Sequence, residues 1–457
     1  MMTRVSWPLI LLAGTELLIL LAVFAGVTLA WTAFFGDAVV SRLLFLRAAV
    51  ISGLAVLMLY AMGLYAWHVA RSYVDLVLRI FAAILLSFVL YAFLFYLFPS
   101  LRVPVGAGLP ALAVAVIAVV LIHDGFLRMA DLAHLKPLVL VLGTGRKAGE
   151  LASLESLGRA SRFRVAAFVD IEGGENAVPT DRIVGMPDHL EEYARARAID
   201  EVVLAPQDRR GNLPLEQLVS IRLAGVPISG LQSFCERVQG AVNLVELRPS
   251  WFFDDAGFRT SGWNLTAKRA LDIAVSTALL TLTLPVLVLT AIAIKLESPG
   301  PIFYRQQRVG RGGRPFTLIK FRSMRRDAER AGRAQWASVG DARVTRVGRV
   351  IRKTRIDEIP QALNVLSGEM SFVGPRPERP EFVEILAQEI PFYRERHCVK
   401  PGITGWAQLN YPYGASIEDA RQKLSYDLYY IKHFSVMFDF AITFQTVRVV
   451  LFNEGAR

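Results

Sequence analysis

The sequence predicts a membrane protein of mixed α and α/β architecture. It comprises an N-terminal four-helix transmembrane bundle, a Rossmann-like α/β middle domain, and a mainly helical monotopic C-terminal domain with a re-entrant, proline-broken membrane helix. Three observations predict it. Apolar runs occupy 7–33, 46–69, 76–98 and 105–122, each near the ~20 residues that cross a bilayer. From Lys136 the pattern becomes strand, glycine turn, helix and strand, which opens a βαβ unit. A fifth apolar run, about 270–294, carries Pro285 in its middle and Lys268, Arg269 and Lys295 at its ends. The expected boundaries are 1–135 for the membrane region, 136–250 for the middle domain, 251–265 for a linker and 266–457 for the last domain, with the re-entrant helix at 268–296.

Composition supports this division. A hydrophobic content of 53% and a mean hydropathy of +0.40 are high for a soluble protein, and a net charge of +11 then implies a basic polar part facing anions. Cys235 and Cys398 are too far apart in sequence to suggest a disulfide framework or a thiolate metal site, and the six histidines show no zinc-binding spacing.

Within the first run Glu16 is the one acid; it reads equally as a functional carboxyl and as one facing the bundle. Arg79, near the start of the third run, is placed to snorkel. An even number of spans leaves both ends on one side, and the basic C-terminal half makes that side cytoplasmic. In the middle domain Gly143, Gly145 and Ala148 follow a strand, and Asp170 closes the next. That is the form of a dinucleotide fingerprint, and it is also the turn any such fold needs between strand and helix. Tyr193 is followed four residues later by Arg197 rather than lysine, which counts against a membrane-anchored, NAD-dependent nucleotide-sugar epimerase or dehydratase.

In the fifth run Pro285 removes a helical hydrogen bond, and basic residues flank both ends. The pattern suits a helix that dips in, breaks and returns to the same face, with the Thr281 and Thr283 hydroxyls near the freed carbonyls. Beyond it, residues 302–356 hold sixteen Lys and Arg against three Asp and Glu. Interleaved aromatics and nucleic-acid motifs are missing, so phosphate-bearing ligands and an anionic leaflet are the expected partners, and nucleic acid is not. At 349–377 Asp357 and Glu358 stand behind Arg349, Arg352, Lys353 and Arg355. Asp357 fits an N-cap, Pro360 the first turn and Gly368 the end of a short helix. Such a helix start keeps a carboxylate ionised and gathers phosphate. The segments 417–433 and 434–452 mix aromatics with Asp427, Asp439, Gln445 and Arg448, too polar to span and suited to the membrane surface.

Five blocks in order, Lys268-Arg269-Ala270-Leu271-Asp272, GPIFYRQQRVGR (300–311), PFTLIKFRSM (315–324), RIDEIPQALNVLSGEMSFVGPRP (355–377) and KPGITGWAQ (400–408), closely resemble the bacterial sugar transferases of the polyprenyl-phosphate phosphoglycosyl transferase family. The resemblance covers roughly 266–457, and the segments before it resemble the larger members linked to exopolysaccharide synthesis. It implies transfer of a sugar 1-phosphate from a UDP-sugar to undecaprenyl phosphate at the bacterial inner membrane, on its cytoplasmic face. Asp357 would be the nucleophile and Glu358 its assistant, both near Mg²⁺. Lys320, Arg322, Arg352, Pro375, Arg376, Pro377 and Asp427 would form the phosphate and nucleotide site. It also implies a re-entrant helix, although Leu284 stands where relatives often have a small polar residue, and a middle domain suited to homodimerisation. A non-catalytic assembly scaffold is the remaining alternative.

Overall fold

A computed structural model of the chain describes residues 7–35, 43–65, 73–101, 103–129, 136–156, 161, 163–171, 173, 176–207, 213–245, 247–253, 257–258, 262–325, 343–412, 414 and 416–452. It divides into two compact units, 1–239 and 240–457.

The first unit begins with helices α1 (Trp7–Phe35), α2 (Leu44–Ala61), α3 (Tyr73–Leu97) and α4 (Val105–Met129). All four are long and apolar enough to cross a membrane. They pack as a ring in which α1 touches α2 and α4, and α3 touches the same two. Leu and Phe side chains such as Leu11, Leu18, Phe45 and Leu109 stay exposed on the outside, where hydrocarbon would cover them. Polar side chains turn inward. Glu16 is fully buried, accepts a bond from the Tyr65 hydroxyl and pairs with His123 Nδ1 at 2.6 Å, so this carboxyl faces the inside of the ring. Arg79 does not snorkel; it is buried and donates to the Met62 carbonyl at 3.4 Å, because the end of α2 offers acceptors nearer than the membrane surface.

The remainder of this unit is a five-stranded parallel sheet. In chain order it contains β1 (Leu138–Leu142), α5 (Arg146–Glu155), β2 (Arg164–Asp170), β3 (Ile183–Gly185), α6 (Leu190–Ala196), β4 (Glu201–Leu204), α7 (Leu215–Leu223), β5 (Ile228–Gly230) and α8 (Leu231–Gln239). The strand order β3-β2-β1-β4-β5 is that of a doubly wound fold. Val139 and Val141 face one core, with Phe163, Phe168 and Phe234; Leu140 and Leu142 face the other, with Leu190 and Ile221. A strand buried on both faces reads as an unbroken apolar run.

The second unit begins earlier than the expected linker. Val242 and Leu247 join its core, and Trp251 is buried there with the Lys432 ammonium 4.7 Å from its ring. Helix α9 (Gly262–Glu297) is also long and apolar enough to cross a membrane. Its 36 residues are helical on both sides of Pro285. Helical structure thus continues past Pro285 rather than unwinding there. Proline withdraws one donor and leaves the flanking hydrogen bonds to carry the helix, while Thr283 Oγ1 donates to the Leu279 carbonyl at 2.6 Å rather than to the carbonyl that Pro285 leaves free.

Both ends of α9 are held by the same unit. The hairpin β6 (Phe303–Val309) and β7 (Pro315–Phe321) follows, then α10 (Arg346–Lys353), a 3₁₀ turn Ile356–Gln361, α11 (Ala362–Ser367), β8 (Ser371–Val373), α12 (Pro380–Glu389), a second 3₁₀ turn Tyr393–Cys398, β9 (Gly402–Thr404), α13 (Trp406–Asn410), α14 (Ile417–Lys432) and α15 (Val436–Phe452). Strands β8 and β9 pair in parallel. Near the start of α9, Lys268 meets Asp439 at 2.5 Å and Asp272 accepts from Ser371 Oγ and Phe372 N at 2.9 Å each. Near its end Ile294 packs with Phe321 and Ile351. The opposite face leaves Leu282, Leu284, Leu289 and Leu296 more than half exposed, an apolar surface that calls for a membrane.

Candidate active site

The carboxylate pair is set by a sharp reversal after α10. Thr354 ends that helix, and Arg355 takes a left-handed conformation, φ 59° and ψ 12°, which costs a residue with a Cβ roughly 1–2 kcal/mol. This reversal starts the 3₁₀ turn at Ile356. Asp357 is therefore not the N-cap; Arg355 holds that position and Asp357 lies inside the turn. Gly368 ends α11 in the left-handed region, φ 89°, as expected. Asn364 docks the pair's helix onto β7, accepting from Ile319 N at 3.0 Å and donating to the Thr317 carbonyl at 2.8 Å.

The two carboxyls have opposite surroundings. Glu358 Oε1 receives Arg376 Nη2 at 2.6 Å and Lys320 Nζ at 3.5 Å, and Arg355 Nη1 lies 3.8 Å from Oε2. Burial alone would raise its pKa, but Arg376, Lys320 and Arg355 outweigh burial and hold it far below the usual range. Asp357 is equally buried, at 8% exposure, and its Oδ1 has no hydrogen-bond partner. Burial first, and the neighbouring Glu358 charge second, push it up to about 6 against the partial opposition of Lys320, Arg352 and Arg376. Environments that drive two adjacent acids apart in this way assign them different tasks. Glu358 is a fixed anion that organises cations, and Asp357 keeps a free oxygen. Burial also lowers the pKa of Lys320, with Glu358 opposing.

Of the residues expected at the site, the structure brings Lys320, Arg352 and Arg376 to the pair. Pro375 and Pro377 fix the turn that carries Arg376. Arg322 goes elsewhere: buried, it donates to the Ser298 carbonyl at 2.8 Å and the Pro299 carbonyl at 3.0 Å, capping the end of α9. Asp427 is 2% exposed and binds Arg396 Nη2 at 2.8 Å. Sequence reasoning missed Arg396, since nothing local marks it, and Asn364, whose polarity inside an apolar helix was a usable signal. Within 326–342, the basic residues Arg326, Arg330 and Arg333 lie outside the described residues.

A cation has one evident ligand. Among the described residues no group of three His, Cys, Asp or Glu side chains could hold a metal ion. The partnerless Asp357 oxygen fits a hard cation arriving with a diphosphate, the way Mg²⁺ is usually bound; Glu358, already facing three cationic side chains, fits it less well.

The glycine turn of the first unit is packed by its own chain. Gly143 has φ +127°, and a Cβ there would stand 2.5 Å from the Ala205 carbonyl oxygen. Lys147 Nζ donates to the Pro206 and Gln207 carbonyls at 3.1 Å each. Gly145 caps α5, Ala148 is fully buried, and Asp170 Oδ1 accepts from Gly173 N at 2.9 Å.

Residues 263–453 match the model of the family described as bacterial sugar transferase. Three similar proteins illustrate the range. A UDP-N-acetylgalactosamine-undecaprenyl-phosphate N-acetylgalactosaminephosphotransferase of Aeromonas hydrophila is 45% identical over 240 residues, 52% of this chain and 56% of that protein. An undecaprenyl-phosphate glucose phosphotransferase of Komagataeibacter xylinus is 33% identical over 333 residues, 70% of this chain and 60% of that one. A UDP-glucose:undecaprenyl-phosphate glucose-1-phosphate transferase of Caulobacter vibrioides is 44% identical over 193 residues, 41% of this chain and 71% of that one. The chain thus spans somewhat more than half the length of the first two.

Proposed function

The chain belongs to the bacterial sugar transferase family, and from that premise we propose that it moves a sugar 1-phosphate from a UDP-sugar to undecaprenyl phosphate, releasing UMP and initiating a surface glycan such as an exopolysaccharide. The observation that carries this reading is the Asp357 carboxyl, buried with a partnerless oxygen beside an anion held by three cationic side chains. The Asp357 oxygen attacks the sugar-bearing phosphorus. The bond from that phosphorus to the bridging oxygen breaks, its electron pair leaves on UMP, and a phosphosugar-aspartyl intermediate forms. An oxygen of undecaprenyl phosphate then attacks the same phosphorus and regenerates the Asp357 carboxylate. Lys320, Arg352 and Arg376 oppose the charge that accumulates on the phosphate oxygens. Mg²⁺, held by Asp357 and the diphosphate, would supply further charge neutralisation.

On this proposal the catalytic unit works at the cytoplasmic face of the inner membrane. Because both ends of α9 bind one compact unit, we assign both to the same face, with the exposed apolar side seated in the bilayer.

The test uses the full-length protein, a panel of UDP-sugars and Mg²⁺, without lipid acceptor. Wild type releases up to one UMP per site, and intact mass shows a sugar-phosphate adduct on the Asp357 peptide; Asp357→Asn shows neither. UMP release that requires the lipid phosphate, with no adduct at any time, would replace the covalent route by direct displacement. No turnover with any UDP-sugar would remove the reading altogether.

A further inference from the structure

The turn that carries Arg376 is held at three consecutive carbonyls. Proline at 375 and 377 restricts φ and removes two of the segment's three backbone N–H groups, so its carbonyls are its main backbone anchors. Gly402 N donates to the Pro375 carbonyl at 2.9 Å, Arg396 Nη2 to the Arg376 carbonyl at 3.1 Å, and Arg308 Nη1 to the Pro377 carbonyl at 3.0 Å. Arg396 is the buried member, 5% exposed. Its Nη1 donates to Tyr393 Oη at 2.6 Å, and its Nη2 also donates to Asp427 Oδ2 at 2.8 Å. The turn's own guanidinium then donates to Glu358 at 2.6 Å. An uninterrupted chain of hydrogen bonds and backbone therefore runs from Asp427 on α14, through Arg396 and the Arg376 peptide, to the carboxylate pair.

We propose that Arg396, seated by Asp427, is a positioning residue that aims Arg376 at the diphosphate, so that Asp427 acts at second remove and does not touch the nucleotide. The inference rests on the UDP-sugar reading of the same site. Its chemical basis is the planar guanidinium, which serves Tyr393, Asp427 and the Arg376 carbonyl at once; an ammonium has no such fork. Holding a phosphate-binding group within a few tenths of an ångström is what such a support contributes to binding.

The experiment measures UDP affinity by titration calorimetry on the full-length protein in detergent, together with UDP-sugar turnover. Arg396→Lys and Arg376→Gln should each weaken UDP by about tenfold, and the double variant should be no weaker than Arg376→Gln alone, because a residue acting through another has nothing left to position. A merely structural loss would add to the Arg376 defect instead. If Arg396→Lys folds poorly by thermal melting, Asp427→Asn, which keeps side-chain volume and one acceptor, is put through the same cycle. Unchanged UDP affinity in the folded variant, or losses that multiply in the double variant, overturns the proposal while wild-type turnover leaves the parent reading intact. Wild type that neither binds UDP nor turns over any UDP-sugar overturns both.

Discussion

Replacing Asp357 by asparagine should stabilise the protein while silencing it, the reverse of what losing an ordinary helix cap does. A cap removed costs roughly 1 kcal/mol. Asp357 is instead a buried carboxyl with a partnerless oxygen and a pKa raised from 3.8 to about 6. At ~1.4 kcal/mol per pH unit, its ionised form is disfavoured in the fold by on the order of 1–3 kcal/mol, and the neutral amide relieves that. For a unit of this size the gain is about 2–10 °C in melting temperature. The sign can be checked by pH. A group whose folded pKa lies above its unfolded value contributes most to stability when protonated, so wild type recovers as pH falls through 6 toward 3.8. The gap between Asp357→Asn and wild type should therefore be full at pH 7.5 and nearly closed at pH 4. Thermal melts of the full-length protein in chelator-containing buffer measure it. A variant that melts lower at pH 7.5, or a gap that persists in acid, would show that the Asp357 carboxylate is well paired and would refute the reasoning.

The same titration gives turnover an acid limb: kcat/KM for the UDP-sugar should fall below about pH 6, as Asp357 protonates, and a profile flat from pH 7 to 5 would show that Asp357 stays ionised in the working enzyme. Glu358→Gln leaves Arg376, Lys320 and Arg355 facing a neutral group and should cost ~3 kcal/mol of stability as well as most turnover, read by melting and UMP release. Gly143→Ala forces a Cβ to 2.5 Å from the Ala205 oxygen at positive φ and should destabilise the first unit strongly, whereas Gly145→Ala should keep turnover per folded molecule; an NAD requirement for turnover would contradict this. Single cysteines at Thr266 and Ser298, in a chain lacking Cys235 and Cys398, should react with an impermeant maleimide from the same face of inverted vesicles, and labelling from opposite faces would make α9 a crossing helix.

Much of the fold was legible because it rests on local pattern. The membrane helices follow from apolar runs, and β1 and β2 from the turn between them. The short strand β3, three residues long, carries too little pattern to be read. At the site, the placing of Asp357 and Glu358 among basic residues and the Gly368 stop were readable. What failed depended on distant partners. Arg322 looked like one more cation in a basic stretch, yet the carbonyls it caps lie more than twenty residues away in sequence. The resemblance puts Asp427 at the nucleotide site, while its partner Arg396 is invisible locally. Pro285 announced a break, and helical structure continues on both sides of it. The left-handed Arg355 had no local signal either, since such a conformation in a residue with a Cβ is imposed by its surroundings.

Those distant contacts explain how one helix can set the height of the chemistry. Arg269 on α9 donates to the Val365 and Leu366 carbonyls at 2.6 and 2.8 Å, capping the helix that continues from the Asp357 turn. Arg322, two residues beyond Lys320 and just past the end of β7, caps the far end of α9. Both the carboxylate pair and the lysine opposite it are thus referenced to a single rigid element whose other face is apolar and exposed. Seating that face in hydrocarbon fixes the depth of the whole site through short, charge-assisted bonds. On the proposed reading, the lipid acceptor can then present its phosphate to the Asp357 turn without its chain leaving the bilayer. Moving α9 by even one helical turn relative to the unit, 5.4 Å, would break both caps.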